Sequence, residues 1–149
     1  MAEEKKAEGA SATMSADLAE QEFNDWAESM GLEVTDESRS ETDETVFSNG
    51  KKLFIRALSK GNAVVDDNGD FVYTVSKFSP EGYKGTDVKI TLPPPRSLVA
   101  GGKKGNESGM QRVLSVASGM TGKDTGWFLN LALPDFKFFM GIAGLFLID

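Results

Sequence analysis

The sequence predicts an α+β fold with an N-terminal helix, a small antiparallel sheet of β-hairpins, and a C-terminal pair or trio of helices. Apolar residues recur at helical spacing over residues 15–30 and again from Met110 onward. Between these segments, two Asn-Gly pairs lie among short runs of β-branched and aromatic residues, a pattern typical of hairpins. The helical patterns therefore flank a central hairpin segment.

Composition excludes several classes of function. The chain has 149 residues, a size typical of one domain that can bury a core without disulfides or a metal ion. It contains no cysteine and no histidine, which excludes a thiolate zinc site and most hydrolase triads. The net charge of −7 disfavours nucleic-acid binding, because phosphates would be repelled. We therefore expect a protein that binds other proteins, without catalysis, cofactor or metal.

The ends of the chain indicate where the protein acts. The N-terminus lacks the apolar segment of a secretory signal. The most apolar run, Phe138–Ile148, has eleven residues, whereas a membrane helix needs about twenty. The sequence thus predicts a cytoplasmic protein without membrane contact. Residues 1–14 are small and charged and are predicted to be a flexible tail, followed by a single domain over residues 15–149.

The first helix is predicted over residues 15–30. Ser15 or Asp17 can cap its N-terminus, and Gly31 supplies a stop signal. Its apolar positions fall on one face, and Trp26 is predicted to anchor that face in the core.

The middle of the chain predicts a loop followed by strands. Residues 33–45 contain six acidic residues and almost no apolar ones, which indicates a solvated loop. Asn49-Gly50 and Asn68-Gly69 each favour a two-residue hairpin turn. Residues 53–60 also fit a helical period, so the sequence predicts either a strand or a helix for this segment. Alternation over residues 88–92 predicts a further strand.

The C-terminal part is predicted to be helical. Residues 100–109 are rich in glycine and lysine and indicate a flexible connector. A helix should begin at Met110, and Gly119 and Gly122 should end it. A short helix or turn follows at residues 127–129, and Pro134 suits the first position of a last helix.

The last helix is apolar on nearly every face, so it must be buried inside the fold or against a partner. One stripe of its apolar side chains can pack on the helix that begins at Met110. This packing leaves a second set of apolar side chains without a partner in the helical pair. This set is either covered by the hairpins or exposed as a contact surface. We predict that partner proteins bind through Phe138, Phe139, Met140, Ile142 and Leu145.

Two short motifs and one isolated acidic residue could be interpreted as chemical sites. Residues 117–124 approach a phosphate-binding loop, but Asp124 stands where magnesium needs a Ser or Thr, so a glycine-rich turn without nucleotide binding is predicted. Residues 66–70 resemble the start of a calcium loop but lack its Glu, which favours a hairpin turn. Asp135 is an acid within an apolar segment, and we expect it to stabilise the N-terminus of the last helix.

The segment Leu-x-Leu-x-Leu-Pro-Asp-Phe at residues 129–136, with the strand and helices around it, resembles the small tail assembly chaperones of long-tailed bacteriophages. Asp135 matches the acid of the step that opens their final helix. Phe146-Leu147 match the terminal phenylalanine-leucine pair. The resemblance covers residues 70–149 and does not extend to the acidic N-terminal helix.

The resemblance implies a non-enzymatic phage protein that binds the tape-measure protein during tail assembly in the host cytoplasm. The net charge keeps such a carrier soluble. The required apolar surface could come from Phe138, Phe139, Met140, Ile142, Leu145 and Phe146. The alternative is a structural component of the virion, in its tail, connector or capsid surface. Self-association into a homo-oligomer is a further expectation.

Overall fold

The computed structural model describes residues 14–35, 37–95 and 109–148. The fold is α+β, as the sequence predicts. In chain order the elements are α1 (Ala16–Ser29), α2 (Glu41–Ser59), β1 (Ala63–Val65), β2 (Phe71–Thr74), β3 (Asp87–Ile90), α3 (Gly109–Thr121), α4 (Thr125–Phe128) and α5 (Leu133–Leu145). The predicted tail and connector lie outside the described residues, except for Met14 and for Gly109, which opens α3.

Helix α1 forms where the sequence predicts it. The Ser15 hydroxyl accepts a hydrogen bond from the backbone N–H of Leu18 at 3.3 Å, so Ser15 is the N-cap. Trp26 is buried and contacts the rings of Phe23 and Phe54, which confirms its role as a core anchor. Gly31 has a φ of +80° and ends the helical segment.

Helix α2 corrects two predictions. It runs through Asn49-Gly50, so the hairpin predicted there is wrong, and the helical alternative for residues 53–60 is confirmed. The acidic loop ends before Glu41 and does not extend to residue 45. Ser40 caps the helix, because its hydroxyl accepts a hydrogen bond from Asp43 N at 3.0 Å. Acidic side chains in the first turn also suit the positive end of the helix dipole.

Gly50 is a helix–helix contact and not a turn residue. A Cβ atom placed on it would lie 2.7 Å from the Leu145 side chain and 2.9 Å from the carbonyl oxygen of Gly141. Helices α2 and α5 therefore cross at a distance that only glycine permits. The same crossing leaves Gly141 close to Leu53, since a Cβ atom placed on Gly141 would overlap Leu53 Cδ1.

We expect Gly50→Ala to destabilise the fold by up to about 2 kcal/mol. Overpacking costs about 1–3 kcal/mol, and the better helix propensity of alanine returns about 1 kcal/mol. Gly126→Ala is the matched control, because a Cβ there meets nothing within 4 Å. Urea unfolding of both variants checks the prediction, and equal stabilities would contradict the close crossing.

The three strands form an antiparallel sheet in the order β1-β2-β3. The hairpin predicted around Asn68-Gly69 is confirmed, but its turn is longer than two residues. Val65 pairs with Phe71, so residues 66–70 form the connection. An Asp66 carboxylate oxygen accepts hydrogen bonds from Asn68 N at 2.9 Å and Asp70 N at 3.0 Å, which organises the longer loop.

The strand predicted at residues 88–92 is observed as β3, and the three C-terminal helices follow as predicted. Thr91 N donates to Met120 O at 2.8 Å and ties the end of β3 to α3. Residues 117–124 form the last turns of α3 and the link to α4, with Gly122 at a φ of +79°. The segment therefore lies at the end of a helix, whereas a phosphate-binding loop follows a strand.

Helix α5 lies in the centre of the fold, against α2, α3 and the aromatic side chains of the sheet. Phe138, Ile142 and Leu145 are 3%, 0% and 1% exposed. Of the two alternatives for these side chains, the covered one is observed and the exposed patch is not, with α2 contributing to the cover beside the hairpin. Phe139 is also buried and Met140 is half-buried. Tyr73 of the hairpin stacks on Phe138 at 3.9 Å between ring centroids, and α2 covers Leu145.

Candidate functional site

A buried carboxylate joins α5 to the segment that follows β2. Asp135 lies in the first turn of α5 and is 0% exposed. One carboxylate oxygen accepts from the Tyr73 hydroxyl at 2.6 Å and from Ser76 N at 3.0 Å. The other accepts from the hydroxyls of Ser76 at 2.7 Å and Ser79 at 2.6 Å. These four hydrogen bonds satisfy the buried group and connect two distant parts of the chain.

The hydrogen bonds keep Asp135 ionised. Burial by itself would raise the pKa of the carboxyl group, but the bonds from Ser79, Tyr73 and Ser76 outweigh it and lower the pKa below its ordinary value. Asp135 does lie at the N-terminus of the last helix, as predicted. The sequence analysis did not identify its hydroxyl partners; the available signal was a tyrosine within β2 and two serines just after this strand.

Stability should fall in acid through Asp135. Its pKa is lower in the folded chain than its ordinary value of 3.8, so its contribution is present above that pH and is lost as the pH falls through the folded pKa. Asp135→Asn lacks this titration. We expect the difference in melting temperature between wild type and Asp135→Asn, measured by circular dichroism, to shrink below about pH 4. A difference that stays constant into stronger acid would contradict the lowered pKa.

The carboxylate holds a loop in which an aromatic side chain faces solvent. Ser79 N donates to Ser76 O at 3.2 Å, and Phe78 N donates to the Ser76 hydroxyl at 3.3 Å. The Ser79 hydroxyl also accepts from Ala132 N at 2.8 Å. The loop is thus tied to the start of α5, yet Phe78 is 70% exposed. A fixed backbone presents this ring at the surface.

Phe78 stands beside an open groove of about 950 Å³ between α2, the β1–β2 hairpin and the start of α5. Phe138 and Tyr73 line the groove with their stacked rings. Val64, Phe78 and Leu133 also line it and are largely exposed. The groove therefore has apolar walls that no other described part of the chain covers.

Four cations surround these walls. Arg56 and Lys60 come from α2 and its C-terminal end, Lys77 from the loop, and Lys137 from α5. All four are exposed. The lining contains no aspartate or glutamate. In a chain with a net charge of −7, this groove is a local positive region.

The predicted partner-binding residues are distributed differently from the expectation. Phe138 lines the groove from the core side, while Leu145 lines a smaller pocket of about 350 Å³ beside Arg39 and Phe47. The other three, Phe139, Met140 and Ile142, line neither of these cavities. Sequence reasoning missed the four cations, because they come from three separate segments of the chain.

Two ionisable groups at the groove, Tyr73 and Asp135, are held by hydrogen bonds. The Tyr73 hydroxyl donates to Asp135, and burial, this hydrogen bond and the nearby negative charge raise the pKa of Tyr73 above its ordinary value of 10. A tyrosine held in this way does not ionise near neutral pH. Asp135 in turn has both oxygens occupied by donors, so it is not available as a general base.

The described ranges contain no group of three or more His, Cys, Asp or Glu side chains that could hold a metal ion. Across the same parts of the chain, no helix has both the length and the hydrophobicity needed to cross a membrane. Comparison with protein-family models, curated proteins and solved structures finds no match to this chain.

Proposed function

We propose that this protein is a non-enzymatic binding protein of bacteriophage assembly, and specifically a tail assembly chaperone for the tape-measure protein. The observation that carries the proposal is the open groove. Val64, Phe78 and Leu133 expose apolar surface around one concavity of a strongly charged protein. Clustered exposed apolar side chains are typical of surfaces that bind other proteins.

The resemblance over residues 129–136 supports the choice of partner. Its acid, Asp135, has a structural role in the proposal, because it fixes the loop that presents Phe78. A chaperone of this kind holds apolar segments of the tape-measure protein until the tail tube forms around them. The net charge of −7 keeps the carrier soluble during this step, in the cytoplasm of the host cell.

Co-expression of the full chain with the tape-measure protein from the same genome tests the proposal. We expect the soluble yield of the tape-measure protein to rise and the two proteins to co-purify. Phe78→Ser with Leu133→Ser should abolish both effects. Leu18→Ser with Leu129→Ser is the matched control, since both leucines are exposed but do not line the groove. No gain in soluble yield with the wild-type chain would refute the proposal.

The alternative, a structural component of the virion, predicts a different location. A chaperone is absent from purified particles, whereas a structural component is present in many copies. Mass spectrometry of intact particles distinguishes the two roles. Detection of the chain in stoichiometric amounts would favour the structural role.

A further inference from the structure

We propose that the groove binds an acidic segment of its partner, whose carboxylates contact the cations while its large apolar side chains occupy the walls. This inference rests on the proposed protein-binding function and names the chemistry of the bound segment. It combines two properties of one surface, positive charge and exposed apolar area. Neither property alone would select the same ligand.

The first step concerns the exposure and the ion pairing of the four cations. Arg56, Lys60, Lys77 and Lys137 are exposed, and none of them forms an ion pair with an acid of the described chain. Lys77 lies 5.5 Å from the centroid of the Phe78 ring, which places its charge beside the apolar wall. The charges are therefore free to contact a ligand.

The second step is the clustering of cations without an ion pair. Outside the groove, four cations contact acidic side chains at 2.7–3.2 Å: Arg39 with Glu44, Lys51 with Glu20, Lys84 with Glu81, and Lys89 with Asp70. Other cations outside the groove, such as Lys52 and Arg112, also lack an ion pair with a described acid, but the groove lining brings four such cations together without any acid. Asp135 lies close to the groove, but its oxygens are occupied by buried donors. A bound segment with carboxylates would therefore contact four cations that have no acidic partner within the described chain.

The third step excludes a nucleic acid as the preferred ligand. A phosphate backbone needs a continuous basic stripe, whereas the rest of this chain is strongly acidic. Val64, Phe78 and Leu133 would also remain exposed beneath a phosphate backbone. A peptide with both acidic and large apolar side chains covers the walls and neutralises the cations together.

A synthetic peptide tests the inference on the full chain. The probe has about 14 residues, so that as a helix it would be about 21 Å long. It carries leucine and phenylalanine at helical spacing and glutamate elsewhere. A second peptide replaces every glutamate with glutamine, and a third replaces the apolar residues with serine. We expect the glutamate peptide to bind about tenfold more tightly than either control by fluorescence anisotropy, and its affinity to fall with added salt.

Charge reversal locates the binding surface. Lys60→Glu, Lys77→Glu and Lys137→Glu together should weaken binding of the glutamate peptide by about tenfold or more. The control combines Lys52→Glu, Lys84→Glu and Arg112→Glu, which changes the net charge equally outside the groove. Both variants should retain the wild-type melting temperature to within a few degrees. Equal binding of the glutamate and glutamine peptides, or equal losses in the two variants, would overturn the inference.

Two outcomes separate this inference from the proposed function. The triple charge-reversal variant (Lys60→Glu, Lys77→Glu and Lys137→Glu) is the groove variant. If wild type and the groove variant both keep the tape-measure protein soluble, the chaperone role stands and the acidic ligand is wrong. If the glutamate peptide binds the groove but wild type does not solubilise the tape-measure protein, the ligand chemistry stands and the chaperone role is wrong. A doubled mass in light scattering that the groove variant abolishes would assign the groove to a second copy and also overturn the inference.

Discussion

Replacing Phe138 and Leu145 together with aspartate should unfold the protein. Both side chains are buried in the core, where α5 meets α2 and the sheet. Each substitution removes about 1.5–3 kcal/mol of apolar burial and adds an unpaired buried charge worth several kcal/mol more. The sum is comparable to the total stability of a domain, which is about 5–15 kcal/mol. Circular dichroism at neutral pH should show loss of the cooperative melt.

The matched control for this experiment is Phe78→Asp with Leu133→Asp. These side chains are 70% and 61% exposed, so the control should remain folded with a melting temperature close to that of wild type. The control variant should nevertheless lose binding of the glutamate peptide, because both residues line the groove. If the Phe138→Asp, Leu145→Asp variant stays folded, these two side chains are not part of the core, and α5 would have to be an exposed contact surface.

Among the predicted effects on stability, that of Asp135→Ala should be the second largest. It should lower the free energy of unfolding by at least about 3 kcal/mol. The substitution leaves the buried Tyr73 and Ser79 hydroxyls and the Ser76 N–H without their acceptor. Hydrogen bonds to a charged group contribute about 1.5–3 kcal/mol each, and buried donors without a partner add a further cost. In a chain of this length the melting temperature should fall by roughly 10 °C.

Two comparisons isolate the cause of that effect. Asp135→Asn keeps one acceptor oxygen and the side-chain shape, so it should lose less stability than Asp135→Ala. Asp124→Ala removes an exposed carboxylate that makes no capping bond, and it should change stability by no more than about 0.5 kcal/mol. Chemical denaturation measures all three variants. Equal losses for Asp135→Ala and Asp124→Ala would show that the buried hydrogen bonds contribute little.

The candidate site was only partly predictable, because its parts are distant in sequence. Tyr73, Ser76 and Ser79 are 62, 59 and 56 residues away from Asp135. The sequence marks Asp135 as unusual, since it is an acid in an apolar segment, but it does not indicate which hydroxyls reach it. The groove is similar, because its cations lie on α2, on the loop and on α5 and meet only after these elements pack.

Local signals in the sequence determined much of the fold. Ser15 and Gly31 bound α1, the residues around Gly69 form the turn of the hairpin, and the apolar period after Met110 yields α3. Each of these features depends on backbone geometry or periodicity within a few residues. Such signals act before the chain packs, which is why they can be read without the tertiary structure.

Packing decided between the local alternatives for α2 and determined the burial of α5. Asn49-Gly50 favours a turn locally, yet the apolar face of Phe47, Phe54 and Leu58 is buried in the core and keeps the segment helical. The missing side chain of Gly50 then lets α5 approach closely enough to bury Leu145. An all-round apolar helix fits either a core or a partner. Its neighbours in space, and not its own sequence, place it in the core.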